Sequence, residues 1–548
     1  MNLKGYFPET VLTILSAAVL VPHLGSFFTS DDFLVLERAS LFTVSDLTSP
    51  YLDIPVGTFF RPIASFLYYL ASKPAFSDPL IYHLVSFMLH SLNCILFYRF
   101  LLLLSEGFSI QLPAFVAAAI VAVHPRTQET IAAIYCFPDL MVVSCSLLAL
   151  ILFARYLATE RKIFLGLSLL SYVLALGCKE NAFALLLLLF PLSYAYPRRQ
   201  RSVEAFYQMN VIGAWFLLAT MVFLVIRFLT VGNLLAISSG YTNLSIGHAG
   251  MFITKGIAAF IVPLTAFSVM SKTAVGIVVT IGAAGFGLLM WIRRESPGLI
   301  FSFAFIAAAI ALLLPASMYS FSLSTGQENR FLYASLYPLS ALGAMLLSMT
   351  CGSRRVLQTV VVVLVGILLG ITNNESEFWK RAARVSEQTL ESYISIIDTQ
   401  EHPPVVLLDG AMYLDGVAVG VTSAALRMAP VLLGESVETT IDPVVLTSTG
   451  YESGDRQPVA EWRMNGDTLR GRSTINRPVF LGPVRIRSGK MYLPSPDGIT
   501  IEARDYDPRR NMSFEVAVYP FSRFSVNTLF LKSRGNMLEL FEPPGESS

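Results

Sequence analysis

Charge is what this chain has least of. Asp, Glu, Lys and Arg make up 14% of its 548 residues, against about 25% in a soluble domain. The few charges nearly cancel, at a net +1, which excludes the basic footprint of a nucleic-acid binder. Cysteine is also sparse: Cys94, Cys136, Cys145, Cys178 and Cys351 all lie in or beside hydrophobic segments, without Cys-x-x-Cys spacing. They read as small core residues and identify no redox compartment. The C-terminal part shows no tandem repeat of about 30 to 45 residues, and no retention signal closes the sequence. The N-terminus lacks a convincing small-residue cleavage site, so its first apolar stretch is expected to stay as an anchor.

What is present is hydrophobic residue, 54% of the chain, in runs long enough to cross a bilayer. Candidate spans fall near 11–28, 80–104, 112–124, 139–158, 162–178, 181–196, 208–230, 273–292, 298–317, 330–350 and 356–372, eleven in all. Several are short, as in helices broken at polar residues inside a protein-lined cavity. Basic residues set the orientation: Lys4, Arg155 to Lys162, Arg198-Arg199-Arg201, Arg293-Arg294 and Arg354-Arg355 share one face if the N-terminus is cytoplasmic. This parity requires that Pro125 to Pro138, and the stretch from about Met251 to Met270 that Pro263 interrupts, run along the outer surface without crossing.

From about Asn373 to Ser548 charges return and Pro and Gly recur. Short apolar runs such as Val405 to Leu408, Val444 to Leu446 and Phe514 to Val518 read as strands, and Glu375 to Ile397 as a surface helix. The expected architecture is an all-α polytopic membrane domain over 1–372, followed by a soluble extracytoplasmic domain over 373–548, mixed α/β and mainly β.

The polar residues left on the outer face form clusters. Asp31-Asp32 follows the first span, where ionised groups near hydrocarbon tend to be kept for function. His83, Ser86, His90 and Asn93 share one face of the second span, and interhelical hydrogen bonding is the favoured role for such a stripe. Further along stand Phe60-Arg61-Pro62, His124-Pro125-Arg126-Thr127-Gln128-Glu129, Phe137-Pro138-Asp139-Leu140-Met141, Cys178-Lys179-Glu180 and Asn329-Arg330-Phe331-Leu332-Tyr333. In that order the motifs resemble the GT-C superfamily of membrane glycosyltransferases, in particular the protein O-mannosyltransferases and the membrane part of the tetratricopeptide-repeat O-mannosyltransferases. The family shows an acidic pair, then Tyr-Arg-Pro, His-Pro-Val-x-Thr-Glu, Gly-Arg-x-Asp-Leu-Leu, Ser-Lys-Glu and Glu-Arg-Tyr-Leu-Tyr. The resemblance covers about residues 10–370. Phe137 stands where the family has an Arg, and Ser86 where it often has an Asn.

The resemblance implies transfer of a sugar, with inversion, from a polyprenyl-phosphate carrier to an acceptor hydroxyl. A hydroxyl is a poor nucleophile, so a carboxylate must accept its proton during attack. Asp31 matches the family's base, Asp32 its neighbour, and Asp139 is suited to orienting the acceptor or backing up the base. The departing phosphate needs cations in a low-dielectric site. Arg330 is the first candidate and Arg61 and Lys179 the second, although Glu180 is expected to compete for Lys179. His124, Glu129, Glu180, Tyr333 and His90 are expected to support the site. No metal is expected to be required, although Asp31, Asp32, Glu129 and His124 are residue types that hold a divalent cation. Other expected partners are the membrane and a protein, lipid or glycan acceptor, at a bacterial inner membrane. A transporter or flippase would call for inverted repeats, which are not evident. An inactive membrane scaffold is the remaining alternative.

Overall fold

The structure is a computed structural model. It describes residues 7–41, 52–54, 57–73, 76–104, 111–186, 189, 203–231, 246–260, 305–313, 329–351 and 353–397, and the strands and helix named below for the rest of the chain. The expected span 273–292, most of 181–196, the ends of 298–317, Pro263 and the two basic clusters at Arg198 and Arg293 lie outside the described residues.

Among the described residues five helices are long and apolar enough to cross a membrane, so the protein is a multi-pass membrane protein. The chain divides into two compact units. The first comprises Met1–Leu24, Thr43–Tyr68 and Ile81–Glu377. It opens with α1 (Phe7–Leu20), which a 3₁₀ turn at Val21–His23 ends beside Pro22. The helix is therefore shorter than the expected run to Phe28. A small antiparallel ladder, Leu52–Ile54 against Gly57–Phe59, then leads into Arg61.

Because every span is apolar, burial from water cannot drive these helices together; close packing and interhelical hydrogen bonds must do so. The site draws on α4 (Pro79–Leu104), α5 (Gln111–Val123), α7 (Phe137–Thr159), α8 (Lys162–Cys178) and α11 (Arg330–Thr350). Before them in the chain come α2 (Asp32–Leu41) and α3 (Pro62–Ser72), and between them α6 (Gln128–Ala132), α9 (Val203–Val231) and α10 (Ile246–Ala259). Helix α5 is rich in alanine, is buried along nearly its whole length, and packs against α1 and α11, as small residues allow. Glu160 takes a left-handed conformation at the end of α7, so α8 turns back at once as its antiparallel neighbour. Ser168 of α8 donates to the Ala149 carbonyl of α7 across that hairpin.

The stripe on α4 points inward. Tyr333 of α11 gathers it: its hydroxyl bonds His90 Nδ1 at 2.9 Å, Asn93 Nδ2 at 3.2 Å and the Tyr337 hydroxyl at 2.8 Å. Asn93 also donates to the Leu140 carbonyl and accepts from Ser144, both on α7. Three helices are thus locked by one polar knot.

Helix α12 (Arg354–Ile397) runs unbroken for 44 residues, about 66 Å at 1.5 Å per residue. The expected domain boundary at 372 and 373 falls inside this helix, and the two compact units part at Glu377 and Phe378. The second unit comprises Gly25–Phe42, Tyr69–Leu80 and Phe378–Ser548. It holds α2 and α13 (Ser423–Leu433), which pack on each other. Beyond α12 the other described elements are strands. One sheet runs in the order Ala460–Met464, Leu469–Ser473, Glu515–Tyr519, Thr500–Arg504, Lys490–Tyr492, Arg485–Arg487, all antiparallel. The other runs Met537–Leu540, Leu529–Arg534, Val405–Leu414, Val444–Tyr451, Val479–Leu481, with parallel pairs flanking Val405–Leu414.

Candidate active site

Gly177 decides how near Arg61 and Glu180 can come. A Cβ on Gly177 would lie 2.6 Å from Cγ1 of Ile63, so only glycine lets the start of α3 press onto the end of α8. Pro62 opens α3 with its ring fitting the first helical turn, which fixes Arg61 just ahead of the helix. After Cys178 the backbone of Lys179 is extended, ending α8 before a 3₁₀ turn over Glu180–Phe183.

Two ion-pair groups result. Glu180 is gripped from both sides: Arg61 Nη2 lies 3.0 Å from one carboxylate oxygen and Arg227 Nη1 3.1 Å from the other. Burial alone would raise the Glu180 pKa, but Arg61 and Arg227 together pull it below the usual carboxylate range. Arg227 was not singled out by the sequence reading. It sits one turn beyond Phe223 on α9, and Phe223 packs against both Phe60 and Phe183. The second group is Lys179 with Asp139, a short buried ion pair. Lys179 is therefore balanced by Asp139 and not by Glu180. Burial lowers its pKa, with Asp139 opposing and Arg61 and Arg330 adding to the fall.

The Phe331 ring joins these groups to a third. Lys179 Nζ lies 5.3 Å and the Arg330 guanidinium carbon 5.2 Å from its centroid, both within cation–π reach. Arg330 also stacks over Tyr135 at 4.7 Å. Glu129 accepts from the Arg330 backbone amide at 2.6 Å and from the Tyr135 hydroxyl at 2.9 Å, with Arg330 Nε 3.8 Å away. Burial nonetheless pushes Glu129 up to about 8, against the pull of Arg330.

The segment from His124 to Thr130 is wholly buried within the protein. His124 Nδ1 accepts from the Arg126 amide at 3.2 Å, so Nε2 carries the proton it gives to the Phe260 carbonyl at 3.0 Å. Burial lowers the His124 pKa to about 4, keeping the ring neutral. Both ring nitrogens are engaged in holding the segment. Arg126 is fully buried and donates to the Ala259 carbonyl and to Asn329, directly before Arg330. Burial lowers its pKa to about 10, against the attraction of Glu375. Among the described residues no group of three His, Cys, Asp or Glu side chains lies close enough to hold a metal ion.

The structure therefore brings together Arg61, Glu129, Asp139, Lys179, Glu180 and Arg330, and adds Arg227, Tyr135 and Phe331. Among the described residues four cations face three carboxylates, and with Glu129 protonated their surplus is two positive charges. That arrangement favours an anion. His90 and Tyr333 belong to the helix-locking knot. Asp31 and Asp32 belong to the second unit. There Ser30 is buried in a left-handed conformation at φ 54°, one that L-residues seldom adopt outside special turns. Asp32 is 1% exposed, and its carboxylate accepts from the Thr29 amide at 3.0 Å. Asp31 is half-buried, and its carbonyl accepts the first helical bond of α2, from Val35.

Over part of its length the chain is similar to a protein O-mannosyl-transferase. Over 140 residues it is 30% identical to the protein O-mannosyl-transferase Tmtc1 of Drosophila melanogaster, a match covering 26% of this chain and 16% of the fly protein. The chain thus spans far less than two thirds of that relative. Among solved structures, ArnT from Cupriavidus metallidurans bound to undecaprenyl phosphate aligns with TM-score 0.47 and 13% identity, over 81% of this chain and 86% of that one. The Archaeoglobus fulgidus oligosaccharyltransferase in complex with zinc and sulfate aligns with TM-score 0.38 and 13% identity, over 73% and 60%. No protein-family profile matches.

Proposed function

We propose that this protein is an inverting glycosyltransferase that moves a sugar from a polyprenyl-phosphate carrier to an acceptor hydroxyl on the outer face of the membrane. The observation that carries the reading is the buried cluster around Phe331 and Glu180, where among the described residues cations outnumber carboxylates. Such a surplus in a water-poor site stabilises the charge that develops on a departing phosphate. Arg330 is the principal phosphate ligand, its guanidinium suited to bidentate contact. Asp139 holds Lys179 in place and Glu180 holds Arg61 and Arg227.

In the reaction the acceptor oxygen attacks the anomeric carbon from the face opposite the phosphate. The new C–O bond forms as the sugar–phosphate bond breaks, and its electron pair leaves with the lipid phosphate. Asp31 takes the hydroxyl proton, while Asp32, tied to the Thr29 amide, fixes the turn that presents it. Mannose is the first sugar to test, because the Drosophila relative is a protein O-mannosyl-transferase. We assign the site to the periplasmic side of a bacterial inner membrane, with a cytoplasmic N-terminus.

The test is transfer from a polyprenyl-phosphate sugar by the full chain in lipid nanodiscs. Asp31→Asn should slow turnover by about 10²- to 10⁴-fold, the usual worth of a general base, with folding unchanged by circular dichroism. Unchanged transfer would remove Asp31 as the base.

A further inference from the structure

We infer that Arg427, in the C-terminal part of the chain, is a positioning residue for the aspartate pair. The inference rests on the proposed function, because it takes Asp31 as the base. Helix α2 begins at Asp32 and is ten residues long, too short to hold itself in water. Its direction must come from what it packs on. Phe33 and Leu36 of α2 are fully buried, as are Ala425, Leu426 and Ala429 of α13, and the two helices pack together within the second unit.

An apolar contact of this kind leaves a helix able to slide or roll. The polar contact beside it does not. Arg427 meets both oxygens of Glu37 on α2, Nε with Oε1 at 2.5 Å and Nη2 with Oε2 at 3.1 Å. A planar fork meeting a planar carboxylate fixes distance and rotation together. From Glu37 the constraint passes through a turn and a half of helix to the Asp31 carbonyl, bonded by Val35, and to the Asp32 carboxylate, bonded by Thr29. The left-handed Ser30 closes the turn, so the direction of Asp31 follows that of α2. The tail thereby sets the aim of the base from some 390 residues away in sequence.

The test uses the full chain in nanodiscs and two readouts, hydrogen exchange over residues 33–41 and steady-state sugar transfer. Arg427→Ala and Glu37→Gln should speed exchange in α2 while α7, α8 and α11 stay protected. Turnover should fall on the order of tenfold or more, the scale of an ångström-sized misplacement, with the donor KM unchanged. Arg427→Lys should recover only part, since an ammonium lacks the fork. The exchanged pair Glu37→Arg with Arg427→Glu should restore both protection and turnover. Unchanged α2 exchange in Arg427→Ala, or failure of the exchanged pair to restore either readout, overturns the inference. If the clamp behaves as stated in a wild-type protein that transfers no sugar, the functional reading falls and the positioning role falls with it.

Discussion

Replacing Glu180 with Gln removes one charge and almost no volume from a carboxylate that two arginines share. The side chains of Arg61 and Arg227 are 12% and 1% exposed, so neither gains much water in compensation. Each contact, near 3 Å, is worth about 5 kcal/mol of Coulomb attraction at an effective dielectric of 20 before desolvation is set against it. Breaking a buried pair while leaving its partner behind costs about 3–5 kcal/mol, and here two cations are left facing each other. Glu180→Gln should therefore unfold at much lower SDS fraction in mixed micelles, followed by tryptophan fluorescence. Adding Arg227→Met to Glu180→Gln restores the triad's original net charge and removes the most buried cation. The double variant should regain about 2 kcal/mol or more over Glu180→Gln alone. A wild-type midpoint for Glu180→Gln, or a double variant weaker than the single, would refute the charge-sharing argument.

Three further outcomes are expected. Burial keeps Glu129 protonated up to about 8, so on the proposed function binding of a polyprenyl phosphate should weaken as pH rises through that value, and Glu129→Gln should bind with a flat profile there. Fold stability has the same sign, being fullest below the ordinary glutamate pKa and lost as pH rises through about 8. Gly177→Ala drives a methyl to 2.6 Å from the stiff Ile63 side chain; overpacking of this kind costs about 1–3 kcal/mol, and transfer should fall as Arg61 is displaced, whereas Gly166→Ala, with open space around it, should be silent in both assays. Tyr333→Phe takes one hydroxyl from between His90, Asn93 and Tyr337 and should cost about 1–3 kcal/mol in the same unfolding assay, the penalty for unsatisfied buried groups.

Among the described residues several helix positions were legible in the sequence. The expected 80–104, 162–178 and 330–350 match Pro79–Leu104, Lys162–Cys178 and Arg330–Thr350 within a residue, because an apolar run bounded by polar residues admits little else in a bilayer. The end of α1 was not, since hydrophobicity continues through Pro22 and Gly25 to Phe28 while the helix stops at Leu20. Hydrogen bonding as the role of the α4 stripe held for His90 and Asn93. Charge pairing was the least legible feature. Lys179 has a carboxylate next to it in sequence, yet the extended backbone between α8 and the following turn sends it to Asp139, 40 residues earlier. Arg227 carried a usable signal, a lone arginine in a 29-residue apolar helix, which in a membrane marks a buried partner. The tie between Glu37 and Arg427 had none, because nothing local links positions so distant in the chain.

That lone arginine bears on how the protein is made. Most of α9 offers bulky apolar side chains outward, Leu229 and Trp215 among them, and would enter a bilayer readily by itself. An arginine raises the cost of that entry, by about 2.5–3.5 kcal/mol at a helix centre and by less near a helix end, where Arg227 stands. Glu180, which neutralises it, is translated 47 residues sooner. Synthesis from the N-terminus thus delivers the acceptor of the charge to the insertion machinery before the helix that needs it, and α9 reaches the lipid with its counter-ion already waiting.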